Sequence, residues 1–185
     1  MRFVIDAGHG GNDPGALAYT PARNPFDYEK TYNMGIAYAL LMNLMHAGHV
    51  GFLTRATDHL ISLTDRLDFN EKIVPDAFIS IHCNASADAS VRGTEVFYRH
   101  AHSLSLATYI SEAVSKHMNT KNRGAKVDTI SLGTSLTVLN AHDIPSVLVE
   151  AGFITNLIDL NALGSQDEVA GAIWSGIQRW ILEEG

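Results

Sequence analysis

Six short apolar runs separated by helical stretches constrain the fold of this chain more than any other feature. The runs are "RFVID", "VGFLT", "AFISIH", "TEVFY", "LTVL" and "SVLVE", several of them apolar throughout. A strand with one wet face alternates apolar and polar residues, so continuous apolarity marks strands covered on both faces. Between the runs, "NMGIAYALLMNLMHAG" reads as a helix stopped at Gly48. "SLTDRLDFNEKI" opens with a capping spacing at Ser62 and Asp65, and "SQDEVAGAIWSGIQRWILEE" repeats that spacing at Ser165 and Glu168. In the last segment Val169, Ile173, Ile177, Trp180 and Ile181 share one helical face. The alternation predicts a single α/β domain, a mostly parallel twisted sheet of about six strands with helices on both faces.

Composition narrows the function. The chain has 185 residues, enough for one domain with a substantial core, and 46% of them are apolar. A formal charge of −7, with 13 scattered Lys and Arg, argues against nucleic acid or an anionic membrane surface as partner. Cys83 is the single cysteine, so no internal disulfide can form. Residues 31–54 lack charged side chains, but Asn33, Asn43, His46, Gly48 and His49 interrupt them, which predicts a buried helix followed by a strand rather than a membrane span. Asp6 breaks the N-terminal apolar run after three residues, too early for a secretory signal, so synthesis in the cytoplasm is expected.

In open α/β sheets, ligands bind beyond the carboxyl ends of the strands. There "RFVIDAGHG" supplies Asp6 and His9, "AFISIHCNA" supplies His82 and "SVLVEAGF" supplies Glu150, while Glu29 in "DYEKTYN" opens the long helix. The glycines around His9 suggest a phosphate cradle, yet the motifs fail. Ala16 and Leu17 stand where a Walker loop needs lysine and a hydroxyl, and Asp13 replaces the third glycine of a dinucleotide fingerprint. Two histidines, one carboxylate and a second carboxylate to move protons match a catalytic zinc site. Spacing alone leaves open that these are surface or capping residues; His82 inside an apolar strand favours the metal, because an unpaired buried imidazole is costly.

The blocks "VIDAGHGGNDPGA", "EKTYNM", "TRATDHLISLTDRLDFNEKIVPDAFISIHCNAS", "GTEVFYR", "NRGAKV" and "IPSVLVEAGFITN" carry a closer likeness. In order and spacing the chain resembles the zinc-dependent N-acetylmuramoyl-L-alanine amidases of the amidase-3 family. The resemblance implies Zn2+ held by His9, Glu29 and His82, with Glu150 catalytic. It implies hydrolysis of the amide between N-acetylmuramic acid and L-alanine, with peptidoglycan as partner. Residues 1–185 are then one amidase-3 catalytic domain, with any wall-binding module outside this chain. A phage endolysin, held inside the cell until it is released onto the wall, is the simplest setting for such an enzyme without a signal peptide; a mother-cell lysis enzyme is the second. A zinc peptidase cutting within the stem peptide is the alternative activity.

Other residues carry weaker expectations. Asp6 either orients a ligand or stabilises its loop, Cys83 points away from His82 by strand alternation, and Arg55, Asp58 and Arg66 read as a structural charge network. His46, His49, His59, His100, His102, His117 and His142 include no pair placed like His9 and His82, although His100 and His102 are close enough in sequence to catch a stray metal.

Overall fold

The computed structural model describes residues 1–18, 27–140 and 143–184. In chain order the elements are β1 (Arg2–Ala7), α1 (Glu29–His46), β2 (Val50–Leu53), α2 (Leu63–Ile73), β3 (Ala77–Asn84) and β4 (Thr94–Tyr98). There follow α3 (Leu104–His117), β5 (Asn122–Val127), α4 (Asp128–Leu132), β6 (Ser146–Phe153), α5 (Leu157–Leu163) and α6 (Gln166–Glu184). The strands form one sheet in the order β2-β1-β3-β6-β4-β5. Its first four strands run parallel; β4 is antiparallel to β6, and β5 is parallel to β4. The expected α/β sheet is therefore present, with two strands reversed at one edge.

Alternation along the strands divides the core. Phe3, Ile5 and Ala7 of β1, Ala77, Ile79, Ile81 and Cys83 of β3, and Val147, Val149 and Ala151 of β6 belong to the larger cluster, which α1, α3 and α6 cover. Val4, Phe78, Phe97 and Leu148 point the other way, onto a thinner layer that includes Phe69 and Ile73 of α2 with Val138 and Leu139. Val169, Ile173, Ile177 and Trp180 of α6 are all buried, as their spacing predicts. Each such side chain contributes roughly 1.5–3 kcal/mol when fully covered. The Ser62 hydroxyl caps α2 by accepting from the Asp65 N–H at 3.1 Å.

Two expectations are corrected. "LTVL" is not a strand: Thr137–Leu139 form a 3₁₀ turn, and the remaining strand is Asn122–Val127. The apolar residues of that run are used to fill the thinner layer, whereas an edge strand needs no continuous apolarity, and "NRGAKV" stays partly exposed throughout. Helix α1 is not buried all round. Ile36, Ala37, Leu40 and Leu44 face the sheet, while Tyr38, Met42 and Met45 are exposed. Among the described residues no helix is long and apolar enough to cross a membrane.

Candidate metal centre

Parallel pairing brings the carboxyl ends of β1, β3 and β6 to one edge of the sheet. His9 lies just past β1, while His82 and Glu150 face each other as register partners on β3 and β6. The His9 loop is stapled from below. Arg55 donates to the carbonyls of Ala7, Gly8 and Lys30 at 2.9–3.0 Å, and Arg66 donates to those of Ala7 and His9 at 2.9 Å. Lys30 donates to the Gly11 carbonyl and to Asp58, which in turn accepts from the Gly11 N–H. These bonds keep His9 at φ 60°, a left-handed conformation uncommon outside glycine.

Glu29, at the first turn of α1, is the hub. Its Oε1 accepts from Nδ1 of His82 at 2.9 Å and from the Cys83 N–H at 3.1 Å. Its Oε2 accepts from the Ala16 N–H at 2.9 Å and lies 3.1 Å from Nε2 of His9. The other ring nitrogen of His9, Nδ1, donates to Asp13 at 2.8 Å. Burial works against a charged His9, but Glu29 and Asp13 on its two nitrogens push its pKa up to about 9. Burial likewise opposes a charged Glu29, yet the two imidazoles hold its carboxyl far below the usual range. Among the described residues, His9, Glu29 and His82 form a group whose donor atoms all lie within 4.8 Å of one another. Two glycines make this convergence possible. A Cβ on Gly8 would fall on the His82 ring, and one on Gly15 would sit 2.5 Å from Oε2 of Glu29 and 2.7 Å from Cδ2 of His9.

Glu150 stands beside this group. Its Oε2 is buried with no hydrogen-bond partner among the described residues. Burial pushes its pKa up to about 7; Glu29 and Glu95 add to the rise, and His82 and His9 oppose it. A groove of about 450 Å³ opens over His9 and His82, and Leu60, Leu63, Leu136 and Val138 also line it.

The sequence reading missed Asp13 as the partner of His9. A carboxylate on Nδ1 fixes the ring and directs Nε2 inward, the usual support for a ligating imidazole. Asp6 hydrogen-bonds neither histidine. It is fully buried and accepts from Thr54 at 2.6 Å, from Ser80 at 2.7 Å and from Arg66, so it anchors the staple rather than a ligand. Cys83 is buried on the helix-covered face, opposite His82. His100 and His102 stack 5.6 Å apart, with Nε2 of His102 donating to the Ile144 carbonyl. His142 lies outside the described residues.

The sequence profile of the family described as N-acetylmuramoyl-L-alanine amidase matches residues 3–179. "Probable cell wall amidase LytH" of Staphylococcus epidermidis is 34% identical over 182 residues, covering 97% of this chain and 58% of that protein. The chain thus spans little more than half the length of such a relative. Among solved structures, the amidase AmiC2 of Nostoc punctiforme superposes with a TM-score of 0.87 at 30% identity, covering 99% of this chain and 98% of that one. The catalytic domain of CwlV, an amidase of Bacillus (Paenibacillus) polymyxa, gives 0.86 at 28% identity, covering 97% of both chains.

Proposed function

This chain belongs to the N-acetylmuramoyl-L-alanine amidase family, and we propose that it hydrolyses the amide between N-acetylmuramic acid and L-alanine in peptidoglycan. His9, Glu29 and His82 would hold a zinc ion, and Glu150 would carry the proton. The observation that carries this reading is the convergence of three ligand-type side chains beside a buried carboxylate oxygen without a partner.

The donors suit zinc. Two imidazoles and one carboxylate make the donor set a catalytic zinc takes, and the carboxylates that draw a proton onto His9 would draw a cation. When bound, zinc supplies acidification of a water and polarisation of the scissile carbonyl. Asp13 keeps the proton on Nδ1 of His9, so that Nε2 offers its lone pair. Glu150 would accept the proton of the attacking water at Oε2, to which no described residue hydrogen-bonds, and return it to the departing alanine nitrogen. Leu60, Leu63, Leu136 and Val138 give the groove over His9 and His82 an apolar lining. Action on the wall after release, as an endolysin or a lysis enzyme, and a wall-binding module outside this chain belong to the same proposal.

The decisive substitution is Glu150→Gln, which keeps shape and hydrogen-bonding reach but not basicity. Zinc content and melting temperature should hold while wall digestion falls by ~10²-fold or more. Wild-type turnover would remove Glu150 from the mechanism. Analysis of the wild-type products separates the activities: an amidase exposes the amino group of L-alanine, whereas a stem-cutting peptidase exposes another terminus.

A further inference from the structure

The blocks "GTEVFYR" and "NRGAKV" meet at one carboxylate. Glu95 of β4 is buried and accepts from Nδ2 of Asn84 at 2.6 Å, from Nε of Arg123 at 2.7 Å and from Nζ of Lys126. One cation would neutralise it; two leave a positive charge over, in a chain of net charge −7. Glu95 is covered, with 6% of its side chain exposed, whereas Arg123 and Lys126 are 27% and 28% exposed, so the surplus faces solvent. Arg123 reaches Glu95 through Nε, and its terminal nitrogens hydrogen-bond no described residue. Its guanidinium carbon lies 5.1 Å from the Phe153 ring centroid, a contact that helps hold the fork in place.

The position of this cluster gives it meaning. Glu95 is the register partner of Glu150, and Glu150 is the register partner of His82. Lys126 pairs with Phe97, which shares a sheet face with Glu95. The row His82, Glu150, Glu95 and Lys126 therefore runs across one face of the sheet, from the metal centre outward. In the proposed substrate, the carboxyl group of muramic acid is consumed in the scissile amide and the sugar is uncharged. Free carboxylates close to the cut belong to the peptide.

We propose that Arg123 and Lys126 form a subsite for a free carboxylate on the peptide side of the substrate. A planar guanidinium with both terminal nitrogens available matches a carboxylate in two-point fashion, with the lysine as a neighbouring point charge. The proposal rests on the amidase reading above.

The test compares N-acetylmuramoyl-L-alanyl-D-glutamate with the same compound amidated at both glutamate carboxylates, using the full chain supplied with zinc. Wild type should favour the free acid by about tenfold in kcat/KM, mainly through KM, the low end for hydrogen bonds to a charged group. Arg123→Gln with Lys126→Gln should bring that ratio close to one, and Arg123→Lys should retain part of it. If circular dichroism shows the double variant unfolded, Arg123→Gln alone, with Lys126 still on Glu95, carries the same comparison. Hydrolysis of both compounds without preference by wild type overturns the subsite and leaves the amidase reading standing. So does an unchanged ratio in the variants. Hydrolysis of neither compound by wild type removes the amidase reading, and the subsite with it.

Discussion

Replacing Gly8 with alanine attacks the proposed zinc site while leaving the chemistry of each donor side chain intact. The added Cβ would lie 2.8 Å from Nδ1 of the His82 imidazole and nearer still to Cε1 and Nε2. Gly8 is not among the glycines with positive φ, so alanine meets no left-handed strain there. Restricting the unfolded chain should stabilise by ~0.4–1 kcal/mol, and overpacking should cost ~1–3 kcal/mol. The net loss lies between about zero and about 2.6 kcal/mol, a fall in melting temperature of at most ~10 °C for a domain of this size. Metal binding should suffer far more. The ring is the part able to yield, and its displacement breaks the 2.9 Å bond to Glu29 and withdraws one of three donors. Losing even a supporting partner of a ligand weakens metal binding by ~10–100-fold, so a displaced ligand should weaken it by ~100-fold or more. Competition for zinc between the apo-protein and a chromophoric chelator measures this, with melting followed by circular dichroism. A folded Gly8→Ala protein with wild-type zinc affinity would refute the reasoning.

Cys83→Ser should leave zinc content unchanged, because the side chain faces the helix-covered core, and should cost ~1–3 kcal/mol for burying a hydroxyl; loss of zinc on this substitution contradicts the strand alternation used here. Asp6→Asn strips the buried Arg66 of its counter-charge and should destabilise by ~3–5 kcal/mol in urea unfolding; a neutral effect would mean that the staple under His9 does not depend on that pair. Burial would raise the Asp128 carboxyl, but Arg99 and the N–H groups of Leu136 and Thr129 hold it below its usual range. Below the unfolded value of about 3.9 the unfolded chain binds more protons, so the stability this group contributes at higher pH is lost as pH falls through the folded value. Urea unfolding at descending pH should therefore show the gap between wild type and Asp128→Asn narrowing below about pH 4, and a constant gap would exclude the linkage.

Local sequence carried the pattern of covered strands and amphipathic helices, because continuous apolar runs and the face of α6 record burial in periodicity alone. The same residues named His9, Glu29, His82 and Glu150 as candidates, since strand ends and a helix start are where an α/β sheet collects functional groups. Periodicity could not assign the last strand. "NRGAKV" becomes a strand by pairing with β4 at the sheet edge, a long-range hydrogen-bonding event that leaves little mark on composition, while the more apolar "LTVL" is taken up by the thinner core layer. Nor could it choose between Asp6 and Asp13. Asp6 lies nearer the strand, but the pleat turns it toward Thr54, Ser80 and Arg66, and the tight Gly10–Asp13 pairing folds Asp13 back onto His9. The row from His82 through Glu150 and Glu95 to Lys126 joins four strands drawn from distant parts of the chain, so it exists only once β4 and β5 have reversed and paired beside β6.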